Sequence, residues 1–175
     1  MTATENETPQ WFAIRTRSEA RAEETLAPQC AEVYSPTETV ELPGGKSCKR
    51  RVIPGVLFIR TVKNHALRLE EQSRKHPELI APFWIYRYPA DNAVQVISEQ
   101  SINLLRLLTA EDQCCIFNRE GFKEDQHVRV TGGIYEGYEG YVQRVKKNKH
   151  VIVKIEGVCM VMLPFIHPDL LQPID

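Results

Sequence analysis

From Val128 to Met162 apolar residues return on a two-residue period: Val128 and Val130, then Tyr141, Val142 and Val145, then Val151 to Val153 and Ile155, then Val158, Met160 and Met162. That is the period of a β-strand, and Gly132-Gly133, Lys147-Asn148 and Glu156-Gly157 break it where turns are needed. Four or five strands within about fifty residues are each too short to bury a face alone, which leaves a small β-barrel as the expected fold of this part.

The amino-terminal part follows other rules. Trp11-Phe12-Ala13-Ile14 reads as a buried strand, and from Ser18, a plausible N-cap, to Gln29 the composition favours helix. Val33-Tyr34 and Thr37–Leu42 read as extended chain that turns at Pro43-Gly44-Gly45. The return arm carries Lys46, Lys49, Arg50 and Arg51 into the apolar run Val52 to Ile59, interrupted at Pro54-Gly55. A second helix is expected over His65–His76, strands over Ile80–Tyr88 and Val94–Ile97, and a helix after Ser98 in which Ile102, Leu105 and Leu108 share a face. The order of elements implies an α+β chain: an α/β sandwich with one antiparallel sheet flanked by helices over residues 10–112, a polar linker over 113–121, and the barrel over 122–175.

Composition narrows the function. No apolar run approaches the roughly 18 residues of a membrane span, and Met1 to Gln10 shows neither a basic start nor an apolar core of a secretory signal, so a cytoplasmic protein without membrane contact is expected. Cys30, Cys48, Cys114, Cys115 and Cys159 are odd in number and form no C-x-x-C pair, which argues against disulfides and structural zinc. A formal charge of −1 confines any nucleic-acid-binding surface to local patches. His127, His150 and His167 lack metal-ligand spacing, and no Walker, G-x-G-x-x-G or nucleophile-elbow pattern is present; no catalytic residue, metal or cofactor is expected.

Two segments carry a resemblance. Asp125 to Val142, D-Q-H-V-R-V-T-G-G-I-Y-E-G-Y-E-G-Y-V, resembles the KOW motif of SH3-like barrels, with Gly132, Gly133, Gly137 and Gly140 as its glycines. Trp11 to Ile14, the helix from Ser18, and Ile53-Pro54-Gly55-Val56-Leu57-Phe58-Ile59 resemble the amino-terminal (NGN) domain of the NusG family, although Ile53 and Val56 stand where that family usually has Phe and Tyr. The ending from Glu156 to Leu171 is similar to that of the specialised UpxY-type paralogues, which act as antiterminators on surface-polysaccharide operons.

The resemblance implies a monomeric transcription elongation factor that catalyses nothing. Its amino domain would offer an apolar concavity, mapped to Val56, Phe58 and Tyr86, to a coiled coil on the RNA polymerase clamp. Arg15, Arg17 and His65 lie where relatives meet the non-template DNA strand, and Lys49, Arg50 and Arg51, with Lys46, form a basic hairpin that could reach nucleic acid or an acidic polymerase surface. Arg144, Lys146, Lys147, Lys149 and His150 make a second basic patch, and nascent RNA, a ribosomal protein or a termination factor are the candidate partners of the barrel. Core packing for Val56, Phe58 and Tyr86, and solvated charge for the basic residues, are the competing explanations. An RNA- or ribosome-binding KOW protein without polymerase contact, and a family member that promotes pausing or termination, are the competing functions.

Overall fold

The apolar run Trp11–Ile14 lies in strand β1 (Gln10–Thr16) of the computed structural model, which describes residues 8–117, 120 and 122–174. Helix α1 (Glu19–Leu26) follows, then β2 (Glu32–Tyr34), β3 (Thr37–Leu42), β4 (Lys46–Arg51), β5 (Val56–Thr61), α2 (Lys63–Lys75), β6 (Phe83–Ile85) and α3 (Glu99–Ala110). The remainder is strands: β7 (Cys115–Ile116), β8 (Gln126–Val130), β9 (Glu139–Val145), β10 (Asn148–Ile155), β11 (Cys159–Met162) and β12 (Leu171–Pro173). The chain is therefore α+β, with antiparallel sheets. Among the described residues no helix is long and apolar enough to cross a membrane.

Two compact units result: one takes in the residues up to Pro36 and Ile53–Gln100, the other Thr37–Val52 and Ser101 onwards. The first holds a four-stranded sheet in the order β2-β5-β1-β6, with β1 and β5 in the interior. Both faces of these two strands are covered: every residue from Trp11 to Ile14 and from Val56 to Ile59 is buried. Phe12, Ile14, Leu57, Ile59, Phe83 and Ile85 form one cluster with Ala22 and Leu26 of α1 and Ala66 and Leu69 of α2. At the start of α1 the Ser18 side chain makes no capping bond; its N–H instead donates to Thr16 Oγ1 at 3.2 Å.

The edge strand β6 is held by a buried acid on α2. Glu70 is 3% exposed. Its carboxylate accepts the Ile85 N–H at 2.6 Å and bonds from Arg87 Nη1 and Nη2 at 3.1 and 2.8 Å. Burial works to raise the Glu70 pKa, but the hydrogen bonds from Arg87 and Ile85 and the charges of Arg87 and Arg74 hold it below the ordinary value.

Three expected elements differ. The basic return arm and the run Val52 to Ile59 are not one strand: Gly55 at φ 78° ends the arm, so β4 pairs with β3 in a two-stranded ribbon while β5 joins the first unit's sheet. Within Ile80–Tyr88 only Phe83–Ile85 form a strand, which Pro82, lacking an N–H, precedes; beyond it Tyr86 N–H still bonds to the Ala13 carbonyl and Arg87 makes an isolated bridge. Val94 and Ile97 make isolated bridges, to Arg87 and Trp11, rather than a strand.

In the second unit six strands run in the order β12-β8-β9-β10-β11-β7. The stretch 113–121 contributes β7, paired with β11 through Ile116 and Val161, together with the buried Cys114, while Asn118, Arg119 and Gly121 lie outside the described residues. The ribbon of β3 and β4 groups with this unit, where the Cys114 N–H donates to the buried Glu38 carboxylate at 2.6 Å and the Thr39 N–H to Asp112 Oδ1 at 3.0 Å. At Gly140 a methyl group would overlap the Ile152 carbonyl oxygen and come within 2.8 Å of Val151 Cγ1.

Two outcomes follow from this packing. Gly140→Ala is expected to destabilise the second unit by about 1–3 kcal/mol, since the obstacle is backbone that cannot rotate away; thermal unfolding checks it. Glu70→Gln is expected to cost about 2–3 kcal/mol near neutral pH. Because the folded pKa of Glu70 is depressed, this contribution is fully present above the ordinary carboxyl value near 4.3 and is lost as pH falls below it, so the stability gap between the wild type and the variant should narrow in that acid window.

Candidate functional site

Alternation along β1, β5 and β6 gives the first unit's sheet a second face. Phe12 and Ile14 point to the helices, so Trp11, Ala13 and Arg15 point the other way; register then places Phe58 opposite Ala13, and both Val56 and Trp84 opposite Arg15. Aromatic rings dominate this face. Trp11 and Tyr34 meet edge-on with centroids 6.4 Å apart, and Tyr34 and Phe58 lie 6.2 Å apart.

At the β6 end the rings reach solvent. Trp84 is 43% exposed and Tyr88 42%. An open groove of about 480 Å³ is lined by Arg15, Arg17, Trp84, Ile85 and Tyr86. The Arg15 guanidinium sits 5.4 Å from the Tyr86 ring centroid, and its Nη2 donates to Tyr86 Oη at 3.2 Å, which fixes one cation beside the indole of Trp84. Two guanidiniums beside an exposed indole suit a polyanion that carries flat rings, as single-stranded nucleic acid does.

The site residues expected from the sequence thus divide. Arg15, Arg17 and Tyr86 come together. Val56 and Phe58 share their sheet face but are 5% and 0% exposed, so in this structure they are core and not an open concavity. On that face the Tyr34 ring packs against Phe58 and meets Trp11 in turn. His65 lies with the helices, at the start of α2, where Nε2 donates to the Gln29 carbonyl at 2.8 Å. Lys49, Arg50 and Arg51 lie on the ribbon in the other unit; Arg50, 62% exposed, reaches the buried Glu38 at 3.6 Å.

Trp84 was missed. Its signal is present in the sequence, since Trp84, Tyr86 and Tyr88 alternate with Phe83, Ile85 and Arg87, which sets the three aromatics on one face of an extended segment.

The motif glycines occupy the turn after β8 and the start of β9. Gly133 and Gly137 have φ of 86° and 91°, and the Gly137 N–H returns to the Val130 carbonyl at 2.8 Å. Gly132 approaches Leu170, and Gly140 is the tight contact described above.

Burial pushes the Cys30 thiol up to about 11; burial and then the Glu38 charge push Cys114 up to about 12.

A Phe58→Asp variant is expected to lose about 4 kcal/mol or more through a charge placed in a sealed apolar site, and circular dichroism should show loss of the folded first unit.

The family described as "NusG: Transcription termination factor nusG" matches residues 9–106. No curated protein matches the chain. Among solved structures, a chain from the crystal structure of the MjSpt4:Spt5 complex, conformation B, is 18% identical, covering 94% of this chain and 96% of that chain with a TM-score of 0.29. That likeness is too distant in shape to bear on the site. The span 9–106 includes the whole sheet of the first unit and more than half of the 175 residues, and the chain belongs to the NusG family.

Proposed function

We propose that this chain is a cytoplasmic transcription elongation factor that rides on RNA polymerase and acts by binding alone. Family membership supports the reading, and the observation that carries it is the groove in which Arg15, Arg17 and Trp84 stand together on the sheet's aromatic face. In this reading the polymerase clamp coiled coil docks on the aromatic face, with Tyr86 and Tyr88 as its accessible part and Val56 and Phe58 supporting them from within. Arg15 and Arg17 then hold phosphates of the exposed non-template strand while a base stacks on Trp84. Suppressed pausing follows from the bound geometry, with no bond made or broken.

The finer assignments belong to the same proposal. Residues 10–112 act as the NGN domain and 122–175 as the KOW domain, with Gly132, Gly133, Gly137 and Gly140 shaping the KOW turns. The similarity of the Glu156–Leu171 ending to UpxY-type proteins supports antitermination of one operon, such as one for surface polysaccharide. His65, Lys49, Arg50 and Arg51 are secondary nucleic-acid contacts in this reading.

Tagged chain recovered from its own cells at moderate salt is expected to bring RNA polymerase with it. Recovery of ribosomes or RNA without polymerase would transfer the function to the barrel. With a labelled single-stranded DNA oligonucleotide, Arg15→Gln with Arg17→Gln is expected to reduce the log–log salt slope by about 1.4, the loss of two phosphate contacts. Trp84→Ala should cost about 1–3 kcal/mol of binding with little change in the salt slope. All three side chains are exposed, so circular dichroism should be unchanged. Equal DNA affinity in wild type and both variants would remove the groove from the mechanism.

A further inference from the structure

Arg15 and Arg17 line the groove from either side of Thr16, the last residue of β1, and they are held there in different ways. Arg15 lies in the ladder opposite Trp84, and Tyr86 fixes its guanidinium. Arg17 lies beyond the ladder. The Tyr86 N–H donates to the Ala13 carbonyl at 2.9 Å, which makes Ala13 and Tyr86 a hydrogen-bonded pair. In an antiparallel ladder such pairs recur at every second residue, so Arg15 with Trp84 and then Arg17 with Pro82 would follow. Pro82 has no N–H to give, and the register stops at Thr16 opposite Phe83.

The Thr16 side chain takes over where the ladder ends. Thr16 is 3% exposed. Its hydroxyl donates to the Pro82 carbonyl at 3.1 Å and accepts the Ser18 N–H at 3.2 Å. The second bond, from the residue two positions on, closes a side-chain turn around Arg17. Both bonds use one oxygen, so the turn that carries Arg17 is fastened to the residue that leads into β6, two positions from Trp84. On the β5 side the Thr16 N–H donates to the Gly55 carbonyl at 2.9 Å and orients the threonine. A hydroxyl can donate to one segment and accept from another at the same oxygen, and valine, of the same shape, can do neither.

We propose that Thr16 is a positioning residue of the groove: its hydroxyl sets Arg17 at the distance from Trp84 at which one DNA strand meets the indole with a base and Arg17 with a phosphate. The assignment rests on the proposed binding of single-stranded DNA in that groove. Without the hydroxyl, β1 and β6 still pair through Ile14, Arg15 and Thr16. Arg15 then keeps its place and its phosphate contact, and Arg17 loses both.

The test titrates the full chain with a fluorescein-labelled oligothymidine over a series of salt concentrations. Wild type is compared with Arg17→Gln, Thr16→Val, Thr16→Ser and the double variant Thr16→Val with Arg17→Gln. Arg17→Gln is expected to lower the log–log salt slope by about 0.7, the loss of one phosphate contact, which is about fivefold in affinity at roughly 0.1 M salt. Thr16→Val is expected to show the same loss, Arg17→Gln to add nothing to it, and Thr16→Ser to retain the wild-type slope. Circular dichroism should show Thr16→Val folded at the titration temperature; Thr16→Ala, which also lacks the hydroxyl, serves if it is not. Amide exchange of the wild-type chain, which needs no substitution, should show the Ser18 N–H protected although the residue is exposed. A threonine that merely supported the fold would give Thr16→Val a lower unfolding temperature, an unchanged slope and an additive loss with Arg17→Gln. That result, or an unprotected Ser18 N–H, overturns the assignment of Thr16 while a lowered slope in Arg17→Gln keeps the groove in place. An unchanged slope in Arg17→Gln itself would remove the groove reading and the role of Thr16 with it.

Discussion

Glu70 sits among apolar side chains of the first unit, where an unpaired carboxylate is costly, and its two oxygens are satisfied by one backbone N–H and one forked guanidinium. The rest of the aromatic face depends on this arrangement. β6 is an edge strand of three residues, paired with β1 on one side only. The Ile85 N–H, which a further strand would otherwise receive, is taken by Glu70, and Arg87 is tied to the same group. With Ile85 and Phe83 fixed inward, the pleat turns Trp84 and Tyr86 outward beside Arg15. The groove is thus set by an acid on the opposite face of the sheet that never touches its contents.

The second unit uses the same device. Glu38, also buried, receives the Cys114 N–H and the Arg50 guanidinium, so that the short segment before β7 is anchored to the β3–β4 ribbon. In both places one carboxylate does the work that a longer strand would do by pairing. At Glu70 the cost is sensitivity to acid, the ordinary consequence of burying an acceptor that must stay ionised.

Much of this was legible in the sequence for a physical reason. The strands β8 to β11 and the interior strands β1 and β5 follow period and burial, which are local properties of side chains, and the glycine turns follow from positive φ. What was not legible is partnership. Nothing local distinguishes β4 from β5 as members of different sheets, since Pro54-Gly55 reads equally as a bulge within one strand. Val56 and Phe58 have the composition of a docking surface and of a core alike; only the burial of their face, where Tyr34 packs on Phe58, separates the two. Glu70 carries no mark in a helix rich in charged residues, because its role depends on Ile85 and Arg87, which arrive from another element. Trp84 stands in an alternation plain enough to read, masked by the density of aromatics around it.

The order of strands also bears on how the chain comes to be folded. β1 is made first yet ends in the middle of its sheet, between partners that are made later: Ile14 waits for Leu57 on one side and for Ile85 on the other. Until those residues leave the ribosome, an apolar strand stands with both edges unpaired, the form most ready to join a neighbouring nascent chain. The β3–β4 ribbon, synthesised in the interval, pairs within itself and is not a strand of that sheet. Safe synthesis of this protein therefore depends on how soon the ribosome passes Ile97, whose bridge to Trp11 completes the contacts of that first strand.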